Sequence, residues 1–347
     1  MDNGFQAKCC DRLLELGRKV RQALHRAVST GRTEHLQQVA HDDGDDDTIY
    51  RLDLEAEPLV LQWAEEAAGD LGPIRLVVEG LDDSSGVVPA GTLGEDVRHI
   101  VIVDPVDGTR GLMVDKRPAW FLAAVAPATS LDDRGRPTAR LRDIVAACMV
   151  ELPTSKMTLA DEFWATADGP RAEARRVNLL NGQVRPLELR PSRARTLEHG
   201  FASMVKFFPG GKDVVAQVEE RLFERLIGPP RPGRALVFDD QYIASGGQVY
   251  ELASGHDRMV ADLRPLVRGA LPLAAHPYDL CTELVLRKAG CVVVAPDGSP
   301  LQGPLDTTTG MAWVGYANRH LFESLHPILL ELLEAHPAIE LDRSTST

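Results

Sequence analysis

The chain has 347 residues, 44% of them hydrophobic, and carries 51 Asp and Glu against 38 Lys and Arg, a formal net charge of -13. That length can bury a large core and favours two domains or two fused layers. The acidic surplus repels a polyanion such as nucleic acid unless one face is locally basic, while a small anion held by a metal stays compatible with it.

From Cys9 to Val28 the residues Leu13, Leu14, Leu16, Val20, Leu24 and Val28 recur at helical spacing among charges, which predicts an opening amphipathic helix. The run HDDGDDDT (41–48) breaks it and reads as a solvated loop rather than a metal basket. A second helix, roughly Leu54 to Ala68, has Pro58 near its start, where a missing N–H costs least. Strand signals follow at IRLVV (74–78), RHIVIV (98–103), WFLAAVA (120–126) and DIVAACMVEL (143–152), divided by Gly, Pro and Asp clusters. Beyond Pro153, short strands are expected at 185–190 and 201–205, with a break at GPPRPGR (228–234). Helices at 212–227, 277–289 and 319–335 then interleave with the strands RALVF, DRMVA, CVVVA and MAWVGYA. The expected fold class is α/β, with an α+β N-terminal half (1–178) and an α/β C-terminal half (179–347).

Cys9, Cys10, Cys148, Cys281 and Cys291 are too few and too irregularly spaced for a disulfide framework, and no CxxC pair suggests zinc. Reduced thiols in the cytoplasm fit best. The N-terminus lacks a basic segment followed by an apolar one, and nowhere do about 18 apolar residues run on, so neither secretion nor membrane spanning is expected.

The most informative stretch is VIVDPVDGT (101–109), an apolar run ending in Asp104 and Asp107 with Gly108 and Thr109 behind them. Pro105 fixes the backbone between the carboxylates, and Gly108 permits close approach by a ligand. Three readings compete. Asp, Pro and Gly are all turn formers, so a tight turn is one. The D-x-D-G-T motif of aspartyl-nucleophile phosphatases is the second, and it fails because two residues, not one, separate the aspartates. A hard-metal site is the third, with the carbonyl of Val106 as an added ligand. It needs partners, and the chain offers Glu79 directly after the strand IRLVV and Asp279 at the start of the helix in HPYDLCTELVLRKAG. Each alone has an ordinary reading, a strand-end surface acid and a helix N-cap.

In order and approximate spacing, VVEG, DPVDGT and YDLCTELVLRKAG resemble the three signatures of the Mg²⁺-dependent, lithium-sensitive phosphatases. That superfamily includes inositol monophosphatases, fructose-1,6-bisphosphatases and 3'-phosphoadenosine nucleotidases. The resemblance spans roughly residues 47–330. It implies a five-layer α-β-α-β-α sandwich, a homodimer and two or three Mg²⁺ ions, with Mn²⁺ as a substitute and Li⁺ as an inhibitor. It further implies that Glu79, Asp104 and the Val106 carbonyl hold the first metal, that Asp104 bridges, and that Asp107 and Asp279 hold the second. Gly108 and Thr109 would meet the phosphate. The segment TIYRLDLEAE resembles the family's upstream T-x-x-D segment and would set Asp53 beside Thr109 to orient the attacking water; a plain N-cap is the other reading of Asp53.

Several positions depart from that pattern. Gly80 replaces an acid, with Asp82 and Asp83 nearby. Tyr278 replaces Trp, and Glu283 adds a charge one turn from Asp279, either to tune the metal or to face solvent. Arg110 gives the T-R-G-L pattern of the 3'-nucleotidase branch, where it would bind a second phosphate; a surface charge is the alternative. Ser245, Gly246 and Gly247 approximate the family's G-S-[AS] segment at the substrate pocket, and Lys206 is a candidate anion contact. An insertion around Pro272 removes the usual substrate-reading acid. The implied activity is hydrolysis of a small inositol, sugar or polyol phosphate. Its rivals are a 3'(2'),5'-bisphosphate nucleotidase and a catalytically silent metal-binding regulatory protein.

Overall fold

The structure, a computed structural model, describes residues 3–29, 39–41, 49–50, 53–80, 86–270 and 273–341. The opening helix α1 runs Asn3–Ser29, longer than its apolar stripe alone predicts, and α2 spans Glu57–Leu71 with proline in its first turn. Both lie on one face of an eight-stranded sheet. Its strands are β1 (Ile74–Val78), β2 (Val87–Val88), β3 (His99–Asp107), β4 (Ala119–Pro127), β5 (Ala146–Leu152), β6 (Leu159–Thr166), β7 (Glu173–Asn178) and β8 (Val184–Leu187), in the order β8-β7-β6-β5-β4-β3-β1-β2. Only β1 and β3 pair in parallel; every other neighbour is antiparallel.

A second sheet of five strands has the order β10-β9-β11-β13-β12, with β9 Gly200–Met204, β10 Val237–Phe238, β11 Asp257–Asp262, β12 Val292–Val294 and β13 Trp313–Tyr316. Between the sheets lie α5 (Ser245–Ser254), the one-turn α6 (Pro277–Leu280) and α7 (Glu283–Ala289). Helices α4 (Lys212–Ile227) and α8 (Arg319–Ala335) cover the outer face of the small sheet. The short α3 (Thr109–Leu112) follows β3. The layers are therefore α-β-α-β-α, as the resemblance implied.

Burial shows why the central strands read as continuous apolar runs. Along β3, Val101 and Val103 join the core under α1 and α2, while Ile100 and Ile102 join the core shared with the middle helices and the small sheet. Each such side chain contributes about 1.5–3 kcal/mol on burial. That shared core fuses the two sheets. The chain also stays in the large sheet through β8, beyond residue 178, where the sequence suggested the halves divide.

Several elements escape the sequence pattern, the short β2 and α3 among them. Strands β6 and β7, LADEFWAT and EARRVN, carry charges at interior positions, and α5 opens on two glycines. Among the described residues no helix is long and apolar enough to cross a membrane.

Candidate active site

Parallel pairing of β1 with β3 aligns Val78 with Val103, so both strands deliver their acids to the same end. Glu79 follows directly, its N–H donating to the Val103 carbonyl at 3.3 Å. On β3 the register slips: Asp104 faces Leu122 and Asp107 faces Trp120, three residue steps against two. In a regular strand, residues three apart point to opposite faces; the extra residue of a bulge restores the parity. Asp104 and Asp107 thus turn to one side. Asp279, on α6, completes a group in which one carboxylate oxygen from each residue lies within 4.8 Å of the others.

Each acid is held by backbone N–H groups. Asp104 accepts from Val106 N at 3.0 Å. Asp107 accepts from Ser245 N at 3.1 Å and, on its other oxygen, from Gly246 N, so the first turn of α5 grips both ends of the carboxylate. Gly246 is required there: a Cβ would stand 2.8 Å from Trp120 Cβ and 3.0 Å from Asp107 Oδ2. Asp279 reaches back to the N–H of its own helix's cap residue, His276, at 2.6 Å, so it is a capping acid as well as a cluster member. Gly108 takes the left-handed φ of 96° that turns the chain from β3 into α3. The Thr109 hydroxyl then donates to the Val106 carbonyl at 2.8 Å.

Asp104 is 1% exposed. Its burial first, and then the charges of Glu79, Asp107 and Asp279, hold its carboxyl well above the usual carboxylate range. Such a cluster is costly unless cations enter it. Oxygen-only donors within this spread suit a hard divalent ion such as Mg²⁺ or Mn²⁺, whose charge would reverse the local field.

A cleft opens over the cluster. Of the residues singled out from sequence, Glu79, Asp104, Val106, Asp107, Gly108, Thr109, Arg110, Ser245 and Asp279 line it. Gly246 is buried behind Asp107 and acts through its N–H. Lys206 does not reach the cleft: its ammonium donates to Met204 O, Glu219 and Asp239, which occupy its three N–H bonds. Glu283 neither faces solvent nor joins the cluster, because it is buried and paired with Arg287 at 2.6 Å. Gly80 adopts φ 78°, a turn conformation that an acid would strain. Asp53 begins a short 3-10 turn, but its side chain, like Asp82, Asp83 and Pro272, lies outside the described residues.

Sequence reasoning missed Phe207, Phe208 and Arg264, which also line the cleft. Arg264 is paired with Asp262, an acid that closes β11. The only signal was the D-x-R spacing in VADLRP, which is too common to single out.

No protein-family model and no curated protein matches the chain. Solved structures do. The extragenic suppressor protein SuhB from Bartonella henselae aligns with a TM-score of 0.60 at 18% identity, over 92% of this chain and 97% of its own. The MJ0109 gene product, an inositol monophosphatase-fructose 1,6-bisphosphatase, gives 0.59 at 16% identity over 92% and 98%. Fructose-1,6-bisphosphatase from Leishmania major, in its holo form, gives 0.64 at 11% identity over 95% and 96%. Nearly the whole of each chain is matched, and this chain has the fold of the inositol monophosphatase and fructose-1,6-bisphosphatase structures.

Proposed function

We propose that the protein is a Mg²⁺-dependent phosphomonoesterase that hydrolyses a small inositol, sugar or polyol phosphate with water as the nucleophile. One observation carries this reading: Asp104, Asp107 and Asp279 converge at the floor of an open cleft, where burial first and then its fellow acids raise the Asp104 carboxyl above the usual range. A fold shared with phosphatases supports it without naming the substrate.

Glu79, Asp104, Asp107, Asp279 and the Val106 carbonyl would hold the cations. Bound there, the cations supply positive charge to an otherwise anionic cleft and make a water acidic enough to attack near neutral pH. The chain's own contribution is positional. Asp107 is clamped by two N–H groups before anything binds, so its carboxylate needs no reorientation during reaction. Thr109 donates to the Val106 carbonyl beside the cluster, and from there it would orient the attacking water. No covalent phosphoenzyme enters this scheme.

The test is phosphate release from p-nitrophenyl phosphate and from inositol monophosphate with Mg²⁺, by the wild type and by Asp104→Asn. Wild-type turnover that needs Mg²⁺ and falls at least about a hundredfold in the variant is the expected result. Equal rates in the two proteins, or no turnover at all, would leave a silent metal-binding protein as the better reading.

A further inference from the structure

Asp107 is the cluster acid whose position is set from outside its own strand. Helix α5 has alanine, Ala244, at its cap position, so it has no capping side chain for its first-turn N–H groups. Asp107 satisfies two of them, accepting from Ser245 N and Gly246 N. The acid goes where that turn goes. Its readiness for a cation then depends on what fixes the first turn of α5 against β3 and β4.

Tyr242, two residues ahead of the cap, provides that fixture. It is 7% exposed, and its hydroxyl accepts from the Trp120 indole N–H at 3.2 Å and donates to the Pro118 carbonyl at 2.9 Å. Trp120 is the residue that faces Asp107 across β3 and β4. The tyrosine therefore ties the approach to α5 to the strand position opposite the acid that α5 holds. Its own carbonyl accepts from Gln248 Nε2 at 2.9 Å, in the helix itself, and a Cβ at Gly247 would run into its ring. Toward the surface, Arg117 lies 5.0 Å from the ring centroid and pairs with Asp240 at 2.6 Å. Packing repeats the constraint: a Cβ on Gly108 would stand 2.9 Å from Ala244 Cβ, so the turn after Asp107 rests on the cap residue. Tyr242, Trp120 and Gln248 all lie behind the cleft and do not line it.

We propose that Tyr242 is a positioning residue of the acid cluster: by holding the first turn of α5 against Trp120 it presets the Asp107 carboxylate and so determines how tightly the cluster binds a divalent cation. This rests on the cation reading of the cluster and is independent of which ester is hydrolysed. Removing the hydroxyl strands the Trp120 N–H and the Pro118 carbonyl and frees the turn to shift, and Asp107 shifts with it.

The test is calorimetric titration of the metal-free protein with Mn²⁺, the cluster's share being the binding lost in Asp104→Asn. The Mg²⁺ dependence of p-nitrophenyl phosphate hydrolysis is measured beside it. Outer partners that orient metal ligands are worth about ten- to a hundredfold in affinity, and Tyr242 acts from one step further back, so Tyr242→Phe should weaken Mn²⁺ about tenfold. The Mg²⁺ concentration for half-maximal rate should rise in step, while kcat at saturating Mg²⁺ stays within about twofold. Tyr316→Phe controls for the plain loss of a buried hydroxyl: Tyr316 is fully buried and bonds His326 Nδ1 on α8 at 2.9 Å. That variant should lose stability and keep the wild-type Mn²⁺ affinity. Arg117→Ala uncovers the Tyr242 ring from the surface side and should weaken Mn²⁺ severalfold. Unchanged affinity in Tyr242→Phe overturns the inference; if that variant does not fold, unchanged affinity in Arg117→Ala does so. Equal weakening in Tyr242→Phe and Tyr316→Phe overturns it as well. A wild type that binds no Mn²⁺ at the cluster overturns the cation reading together with it. The expected binding pattern without any hydrolysis upholds this inference and removes the phosphatase reading alone.

Discussion

Glu162 and Asp104 lie in the same eight-stranded sheet, at 0% and 1% exposure, yet their surroundings have opposite charge. Around Glu162 stand Arg18 at 3.1 Å, Arg21 at 2.7 Å and Arg175 at 2.6 Å, which tie α1 to β6 and β7. Around Asp104 stand Glu79, Asp107 and Asp279, and the hydrogen bond it accepts comes from a backbone N–H. The first acid finds its counter-charges within the chain. The second is set among like charges and finds relief only in cations from outside, and that contrast separates a structural carboxylate from a functional one.

The sharpest way to break the comparison is to remove each acid in chelator. Glu162→Ala strands three arginines, of which Arg21 is almost fully covered, and should cost about 3–5 kcal/mol in denaturant unfolding. Asp104→Asn removes a repelling charge and should leave the metal-free protein as stable as the wild type or more so. Comparable losses in both variants would erase the distinction. Next in size, Mg²⁺ at about a hundred times its Kd should stabilise the wild type by about 2.7 kcal/mol, with no gain in Asp104→Asn and the full gain in Glu162→Gln. Thermal melts with and without the ion check this.

Asp257 offers a third environment. It is 7% exposed on β11, and burial, followed by the charges of Glu251 and Asp240, raises its carboxyl to about 7. Between the ordinary carboxylate range and neutrality the unfolded chain releases this proton while the folded chain keeps it, so stability falls as pH rises through that window. Asp257→Asn should therefore be more stable than the wild type by roughly 2 kcal/mol above neutrality, with the difference vanishing toward pH 4. A difference that grows on acidification would refute this. Smallest is the capping contribution of Asp279: Asp279→Ala should lose about 1 kcal/mol relative to Asp279→Asn, which still accepts from His276 N, while both lose activity.

Much of the site was legible because its ligands come from local motifs at strand and helix ends. Glu79 after IRLVV, the acids of DPVDGT, and Asp279 ahead of an apolar helical run each mark such an end. The bulge that turns Asp104 and Asp107 to one side was not legible, since parity depends on register with β4. Strands β6 and β7 were hidden by their charges: Asp161 and Glu162 read as surface residues until Arg176, Arg175 and two arginines of α1 are seen to meet them. Helix α5 was hidden by Gly246 and Gly247, which are there because Asp107 and Tyr242 press against its first turn. Charge alone points Lys206 toward the cleft, but Glu219 and Asp239 hold it away. Arg264 is not legible because its place on the cleft wall depends on Phe207 and Phe208, remote from it in sequence.

The account stands on cations entering the Asp104 cluster. Crystals of the protein soaked in Mn²⁺, measured for anomalous scattering, test that directly. The prediction is a strong peak among the carboxylate oxygens of Asp104, Asp107 and Asp279 that is lost in Asp104→Asn. Crystals in which that cluster stays empty while Mn²⁺ binds elsewhere would contradict it.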